Sequence, residues 1–169
     1  GAKIGKECNI GEHCYIEGNV IVGDFCTVKN GVYLWDGIIL EDHVFIGPGA
    51  IFTNDKYPRS RQKDWELKKT LIRRYTTIGA GAVILCGIET SPFCIIGAGA
   101  VVTKSVSDFA LVVGNPARTS GYVCACGRVI LNLKRLKGEN MKKIKCQKCE
   151  RIYKFEKKRL IWLDGPPLP

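Results

Sequence analysis

The chain has 169 residues, 46% apolar and 25% charged, with nineteen Gly against seven Pro. That composition suits one globular domain with a small appendage, and it excludes disorder, collagen and long-helix architectures. The formal charge of +10 is unevenly placed: residues 119–169 hold 13 basic and 4 acidic side chains, residues 1–118 hold 13 and 12, and residues 54–74 alone hold 8 and 3. No apolar run approaches the roughly 20 residues of a membrane span, and no cleavable signal peptide is visible. Nine Cys, an odd number, in a chain with ample apolar residues point to a reducing cytoplasm rather than a disulfide scaffold. Because the only Met is Met141, N-terminal coils of the natural protein are expected to precede Gly1.

From the N-terminus, branched or large apolar residues stand at every sixth position: Ile4, Ile10, Ile16, Val22, Val28, Leu34, Leu40, Ile46 and Phe52. A smaller set follows each by four: Cys8, Cys14, Val20, Cys26, Val32, Ile38, Val44 and Ala50. Period six fits neither the 3.6 of a helix nor a long alternating strand, but it fits short flat strands joined by tight corners. Such hexapeptide repeats stack into an all-β solenoid in which each strand pairs with the coil above and below, here a left-handed parallel β-helix. Cys8, Cys14, Cys26 and Cys94 fall on the small inward positions and read as small hydrophobes. Cys86 falls on a corner and is a weak nucleophile candidate.

The register resumes at Ile78, Ile84, Thr90, Ile96 and Val102, for about five coils in all. Phe52 and Ile78 are 26 residues apart, not a multiple of six, so residues 54–74 are expected to leave the solenoid as an excursion loop. Thr90 is a weak member, and Glu89 to Phe93 is expected to be a strained corner. A charged loop of this length, carrying a Pro, a Trp and several Arg and Lys, suits recognition of phosphate or carboxylate.

Leu40 to Ser60, LEDHVFIGPGAIFTNDKYPRS, and Ile78 to Arg118 resemble the hexapeptide-repeat N-acetyltransferases that acylate the 3-amino group of nucleotide-linked sugars. The specific pieces are Phe52-Thr53-Asn54-Asp55, Tyr57-Pro58-Arg59 and the closing run Leu111 to Arg118. The resemblance implies a homotrimer with sites between neighbouring solenoids, acetyl-coenzyme A as donor, and a UDP- or dTDP-linked 3-aminosugar destined for lipopolysaccharide or another surface glycan as acceptor. It assigns catalysis to Asn54, which orients the amine or bonds the oxyanion, and to Asp55, which positions the sugar or takes a proton. Asp36, Tyr57, Arg59, Arg61, Arg73 and Arg74 are candidates for binding the sugar nucleotide. Gly79, Ala80, Gly81, Ala98, Gly99, Lys104 and Arg118 are candidates for binding coenzyme A, through small corners for the pantetheine arm and cations for its phosphates.

The loop contains no His. A sugar hydroxyl needs a base, whereas a neutral amine carries its own lone pair and a thiol of pKa near ~8.5 leaves readily. The missing base therefore favours an amine acceptor over a hydroxyl acceptor of the galactoside or maltose type. The two His of the chain, His13 and His43, are too few for the three-His zinc site of the carbonic anhydrases with this fold, and His43 reads as a solvated corner residue.

After Arg118 the hexads stop, and a second unit is expected over residues 119–169. Cys124-Ala125-Cys126, nineteen further residues, then Cys146-Gln147-Lys148-Cys149 resemble a zinc ribbon with two thiolate pairs, although the first pair has a single intervening residue. The basic tail leaves a second functional class open, a trimeric zinc-ribbon protein binding nucleic acid.

Overall fold

The structure, a computed structural model, describes residues 1–135 and 142–168. Residues 136–141 and 169 of the expected C-terminal unit lie outside the described residues.

The hexads become strands of two or three residues: β1 Lys3–Ile4, β2 Asn9–Ile10, β3 Tyr15–Ile16, β4 Ile21–Val22, β5 Thr27–Val28, β6 Tyr33–Leu34, β7 Ile38–Leu40, β8 Phe45–Ile46, β9 Ile51–Phe52, β10 Thr70–Ile72, β11 Thr77–Ile78, β12 Val83–Ile84, β13 Glu89–Thr90, β14 Ile95–Ile96 and β15 Val101–Val102. They pair in parallel into three sheets, β1-β4-β7-β10-β13, β2-β5-β8-β11-β14 and β3-β6-β9-β12-β15, so that three strands make one coil and five coils are complete. Partners stand 18 residues apart, as in Lys3↔Ile21 and Ile21↔Ile39. The second residue of each two-residue strand points inward, and Val28, Leu34, Ile46, Ile78, Ile84 and Ile96 are fully buried. This parallel solenoid matches the left-handed β-helix of hexapeptide-repeat acetyltransferases.

Two expectations are corrected. The excursion is shorter than 54–74: Leu71 pairs with Ile39 across a step of 32 residues instead of 18, and β10 is already back in the solenoid. Ile72 stands six before Ile78 and is fully buried, but its flanks, Lys68-Lys69 and Arg73-Arg74, disguise the strand as loop. Nor is Glu89 to Phe93 merely a strained corner, because Glu89–Thr90 is a regular strand paired with Leu71–Ile72. Thr90 is buried, yet its hydroxyl accepts the Arg73 N–H at 3.1 Å and lies 3.2 Å from the Thr76 hydroxyl, which removes the cost of burying it.

The first corner of each coil carries a ladder of stacked rings. Phe25 and His43 lie 4.9 Å apart, His43 and Tyr75 4.6 Å, Tyr75 and Phe93 4.9 Å, and Phe93 and Phe109 5.0 Å, all within 12° of parallel. His43 is therefore half-buried between two aromatic faces, not solvated. Each of these corner residues has φ between 57° and 61°, so the stacking helps hold a left-handed backbone that non-glycine residues rarely adopt.

Beyond the fifth coil, β16 (Ala110–Val113) pairs with β14, and the chain then reverses. β17 (Arg118–Val123) runs antiparallel to β16, and β18 (Val129–Asn132) antiparallel to β17, extending one solenoid sheet to eight strands. A short 3-10 turn, Leu133–Arg135, follows. The meander β19 (Lys142–Lys145), β20 (Ile152–Glu156) and β21 (Arg159–Asp164) completes the described chain. Tyr122 of β17 donates its hydroxyl proton to the Lys158 carbonyl, joining the meander to that sheet. Among the described residues no helix is long and apolar enough to cross a membrane.

Candidate active site

The excursion leaves after β9 and returns before β10, both at the third corner of the solenoid. Its neck is a short antiparallel bridge, Asp55↔Leu67, closed by the Lys68 N–H donating to the Asn54 carbonyl at 3.0 Å. Beyond the neck the loop folds over a cleft of about 370 Å³ lined by Glu17, Trp35, Asn54, Asp55, Arg59, Gln62 and Trp65. The cleft thus has two indole walls, one guanidinium, two carboxylates and two amides, and the lining residues include no His.

Several of these groups are pinned. The Trp35 indole Nε1 donates to the Phe52 carbonyl at 3.1 Å, and its ring is flanked by Tyr15 and Tyr33 at 5.4 and 6.0 Å. Asp55 Oδ1 accepts the Tyr57 N–H at 2.8 Å, an Asx turn that aims the loop. Asn54 Nδ2 reaches the Asp36 carbonyl only at 3.5 Å, a weak contact that leaves its amide available to a ligand.

Of the sequence-derived candidates, the structure brings Asn54, Asp55 and Arg59 together. Asp36 sits beneath them, but its carboxylate is occupied by the Asn19 backbone N–H at 2.7 Å and side-chain amide at 3.0 Å. Tyr57 and Arg61 lie on the loop exposed to solvent and do not line the cleft. Arg73 and Arg74 are on the solenoid, away from the cleft lining. Arg73 pairs with Glu41 at 2.8 Å and Glu89 at 2.7 Å, clamping neighbouring coils. Partial burial would raise the Glu41 carboxyl, but the Arg74 N–H and the Arg73 guanidinium outweigh it and hold the group below its ordinary range.

Glu17, Trp35, Gln62 and Trp65 were not among the candidates. Glu17, Trp35 and Thr53 are spaced by 18, one per coil at the same corner, so reading the repeat by coil instead of by hexad places Glu17 and Trp35 beside the loop's departure. Gln62 and Trp65 carry no such signal, since the loop obeys no period.

The coenzyme A candidates fall in two places. Gly79, Ala80, Gly81, Ala98 and Gly99 stack along the second corner. A Cβ on Gly79 would lie 2.4 Å from the Ala98 nitrogen, and Gly81 and Gly99 have φ of 63° and 66° with open space outside them. The corner is therefore closed toward the next coil and bare toward solvent. Lys104 and Arg118 line a separate cleft of about 240 Å³, with Val102, Val106, Val112 and Thr119, between the last coil and β17.

In the C-terminal unit Cys124 and Cys126 end β17, and Cys146 and Cys149 occupy the turn between β19 and β20. Their four sulfurs lie within 4.8 Å of one another, with Cys124 to Cys149 at 3.3 Å and Cys126 to Cys146 at 3.7 Å. Burial pushes the Cys124 thiol up to about 12. Desolvation also acts on Cys149, but the Arg151 N–H and the neighbouring thiols overcome it and pull that thiol down to about 6. Burial raises the solenoid thiols Cys26 and Cys94 to about 11, the inert state expected of inward small residues.

Residues 1–35 match the family model described as a hexapeptide repeat of succinyl-transferase. The chain is similar to a dTDP-3-amino-3,6-dideoxy-alpha-D-galactopyranose 3-N-acetyltransferase of Aneurinibacillus thermoaerophilus, 47% identical over 58 residues that cover 34% of this chain and 30% of that protein. The match thus spans less than a third of that relative's length. Among solved structures, a maltose O-acetyltransferase from Clostridium difficile 630 superposes with a TM-score of 0.66 at 25% identity, covering 72% of this chain and 70% of the other. A hexapeptide-repeat acetyltransferase from Vibrio cholerae O1 biovar eltor, solved with acetyl coenzyme A, superposes at 0.64 with 27% identity, covering 72% and 71%. Repeat, coil geometry and neighbours agree, and the chain belongs to the hexapeptide-repeat acetyltransferase family.

Proposed function

We propose that this protein transfers an acetyl group from acetyl-coenzyme A to the 3-amino group of a UDP- or dTDP-linked aminosugar. The observation that carries the reading is the loop cleft itself, where the Asn54 amide and the Asp55 carboxylate converge beside Arg59 with no His among the lining residues. Similarity to the Aneurinibacillus 3-N-acetyltransferase supports the acceptor class, and similarity to the Vibrio protein solved with acetyl coenzyme A supports the donor.

In the reaction the neutral amine attacks the thioester carbonyl carbon, the new C–N bond forms, and the C–S bond breaks to release the coenzyme A thiolate. The proton lost by nitrogen passes to Asp55 or water, and the thiolate takes one from solvent. Asn54 donates to the tetrahedral oxyanion or accepts from the amine. Arg59 meets the diphosphate or a sugar carboxylate. The bare corner of Gly79 to Gly81, Ala98 and Gly99 lets the pantetheine arm approach, and Lys104 and Arg118 face its phosphates. The working form is a homotrimer in the cytoplasm, with a neighbouring solenoid walling each cleft and the product entering surface polysaccharide.

The Cys124, Cys126, Cys146 and Cys149 cluster holds zinc. Tetrahedral zinc with sulfurs at 2.3 Å separates them by about 3.8 Å, close to the spacings found here, and an all-thiolate donor set suits a soft divalent ion. Four protein ligands leave no open position, so the metal's role is to tie two turns together.

The test is thiol release from acetyl-coenzyme A in the presence of dTDP- and UDP-linked 3-aminosugars. Turnover with those, and none with maltose or galactosides, is expected. A hydroxyl acceptor is the second reading, favoured by the maltose O-acetyltransferase neighbour; faster turnover of maltose than of any aminosugar nucleotide would establish it.

A further inference from the structure

Tyr153 is fully buried. Its hydroxyl oxygen accepts the Ala125 N–H at 2.9 Å and lies 3.1 Å from Cys124 Sγ. A cysteine bound to metal is a thiolate with no proton to give, so in the loaded site the phenol is the donor of that second bond. The same ring meets Phe109 edge to face, with centroids 5.6 Å apart at 70°. Phe109 is the last rung of the ring ladder that climbs the first corner through Phe93 and Tyr75. Cys124 directly follows β17, whose first residue, Arg118, lines the cleft opposite Lys104. One side chain thus touches both the thiolate cluster and the end of the solenoid, next to the strand that walls the second cleft.

We propose that Tyr153 is a positioning residue for the metal centre that couples metal loading to the last coil, so that the loaded ribbon is the cap sealing the C-terminal end of the solenoid. The inference rests on the reading of the four cysteines as a metal site. A hydrogen bond to a ligand atom fixes its orientation and stabilises its anionic form, and removing such a partner costs roughly 10- to 100-fold in metal affinity. The capping role follows from stacking: the last coil has a neighbour below and, without the ribbon, none above, and terminal repeats of solenoids need a cap.

The first measurement is the metal content of the full chain purified without chelator, where about one zinc per chain is expected. A chain that carries no metal and takes none up overturns the metal reading itself, and the inference with it. The second is Tyr153→Phe, which keeps the ring and deletes the hydroxyl. Competition against a chromogenic chelator should show metal affinity falling by roughly 10- to 100-fold. In the Co2+-loaded protein the thiolate-to-metal charge-transfer band should move to lower energy, because the sulfur loses its hydrogen bond; a side chain that only fills space would not shift it. The third is hydrogen exchange of the unaltered chain with and without metal. Loading should slow the amides of Ala110–Val113 and Arg118–Val123 and leave those of β5 and β8 unchanged. Metal bound as tightly by Tyr153→Phe with an unmoved band, or exchange at Ala110–Val113 indifferent to metal, overturns the coupling. If Tyr153→Phe does not fold, the exchange comparison on the unaltered chain decides alone.

Discussion

The solenoid and the ribbon it carries solve the same problem by opposite means. In the solenoid each coil of 18 residues contributes three or four inward apolar side chains, and the columns become continuous only because coils stack, as with Val28, Ile46, Ile78 and Ile96. The ribbon has too little chain for such a core. Its buried residues, Tyr122, Tyr153, Phe155 and Leu160, surround four sulfurs that need a cation to be satisfied together. Repetition stabilises the one and coordination the other, and small units below about 40 residues usually need such a staple.

The comparison breaks most sharply on metal removal. Structural zinc in small folds contributes on the order of 10 to 16 kcal/mol of apparent binding energy, so a strong chelator should melt the signals of β19, β20 and β21 while the parallel coils persist. Near-ultraviolet circular dichroism, to which Tyr153 and Trp162 contribute in the ribbon, would report it, and loss of the whole fold in one step would mean that the two regions are one cooperative unit. Next in size is a cavity in the stack: Ile46→Ala should cost about 2 to 5 kcal/mol in urea unfolding, because Ile46 is fully buried between Val28 and Ile78. Metal content should stay unchanged in that variant. Below this comes Asn54→Ala, expected to lower turnover about 10²-fold with stability preserved; near-native turnover would remove Asn54 from the proposed chemistry.

The solenoid was legible because its period is covalent arithmetic: each missing or misplaced apolar residue would open a hole in a column, so the pattern cannot drift. The four cysteines were legible for a similar reason, since ligand spacing constrains sequence. What escaped notice was whatever lies between periods. Ile72 was hidden by the basic residues on either side of it, so two arginines were placed on the loop when they belong to the solenoid. Trp35 was hidden because its hexad partners at the same corner are unlike it, Glu17 in one coil and Thr53 in the other. Gln62 and Trp65 converge on the cleft only through the path of the excursion, and no local rule writes that path into sequence. The aromatic ladder shows a further limit. His43 looked like a solitary corner residue, and only the 18-residue step reveals Phe25 and Phe93 on the same edge, with Tyr75 joining them across the excursion.

The smallest effect concerns Arg73, which bridges Glu41 and Glu89 across stacked coils instead of facing a ligand. Glu41 has a folded pKa held below its ordinary value near 4.5, so its pairing stabilises the fold fully above that value. The contribution is lost as pH falls through the lower folded pKa, when the carboxylate takes a proton and releases the guanidinium. The pair is partly exposed, and solvent and salt screen it. Urea midpoints measured from about pH 5 down to about pH 3 should therefore decline less steeply in Glu41→Gln than in the unaltered chain, and the difference should shrink at high salt. Parallel decline in both proteins would mean that the clamp contributes nothing to holding the coils, and that stacking of the apolar columns alone keeps the loop-bearing coil in register.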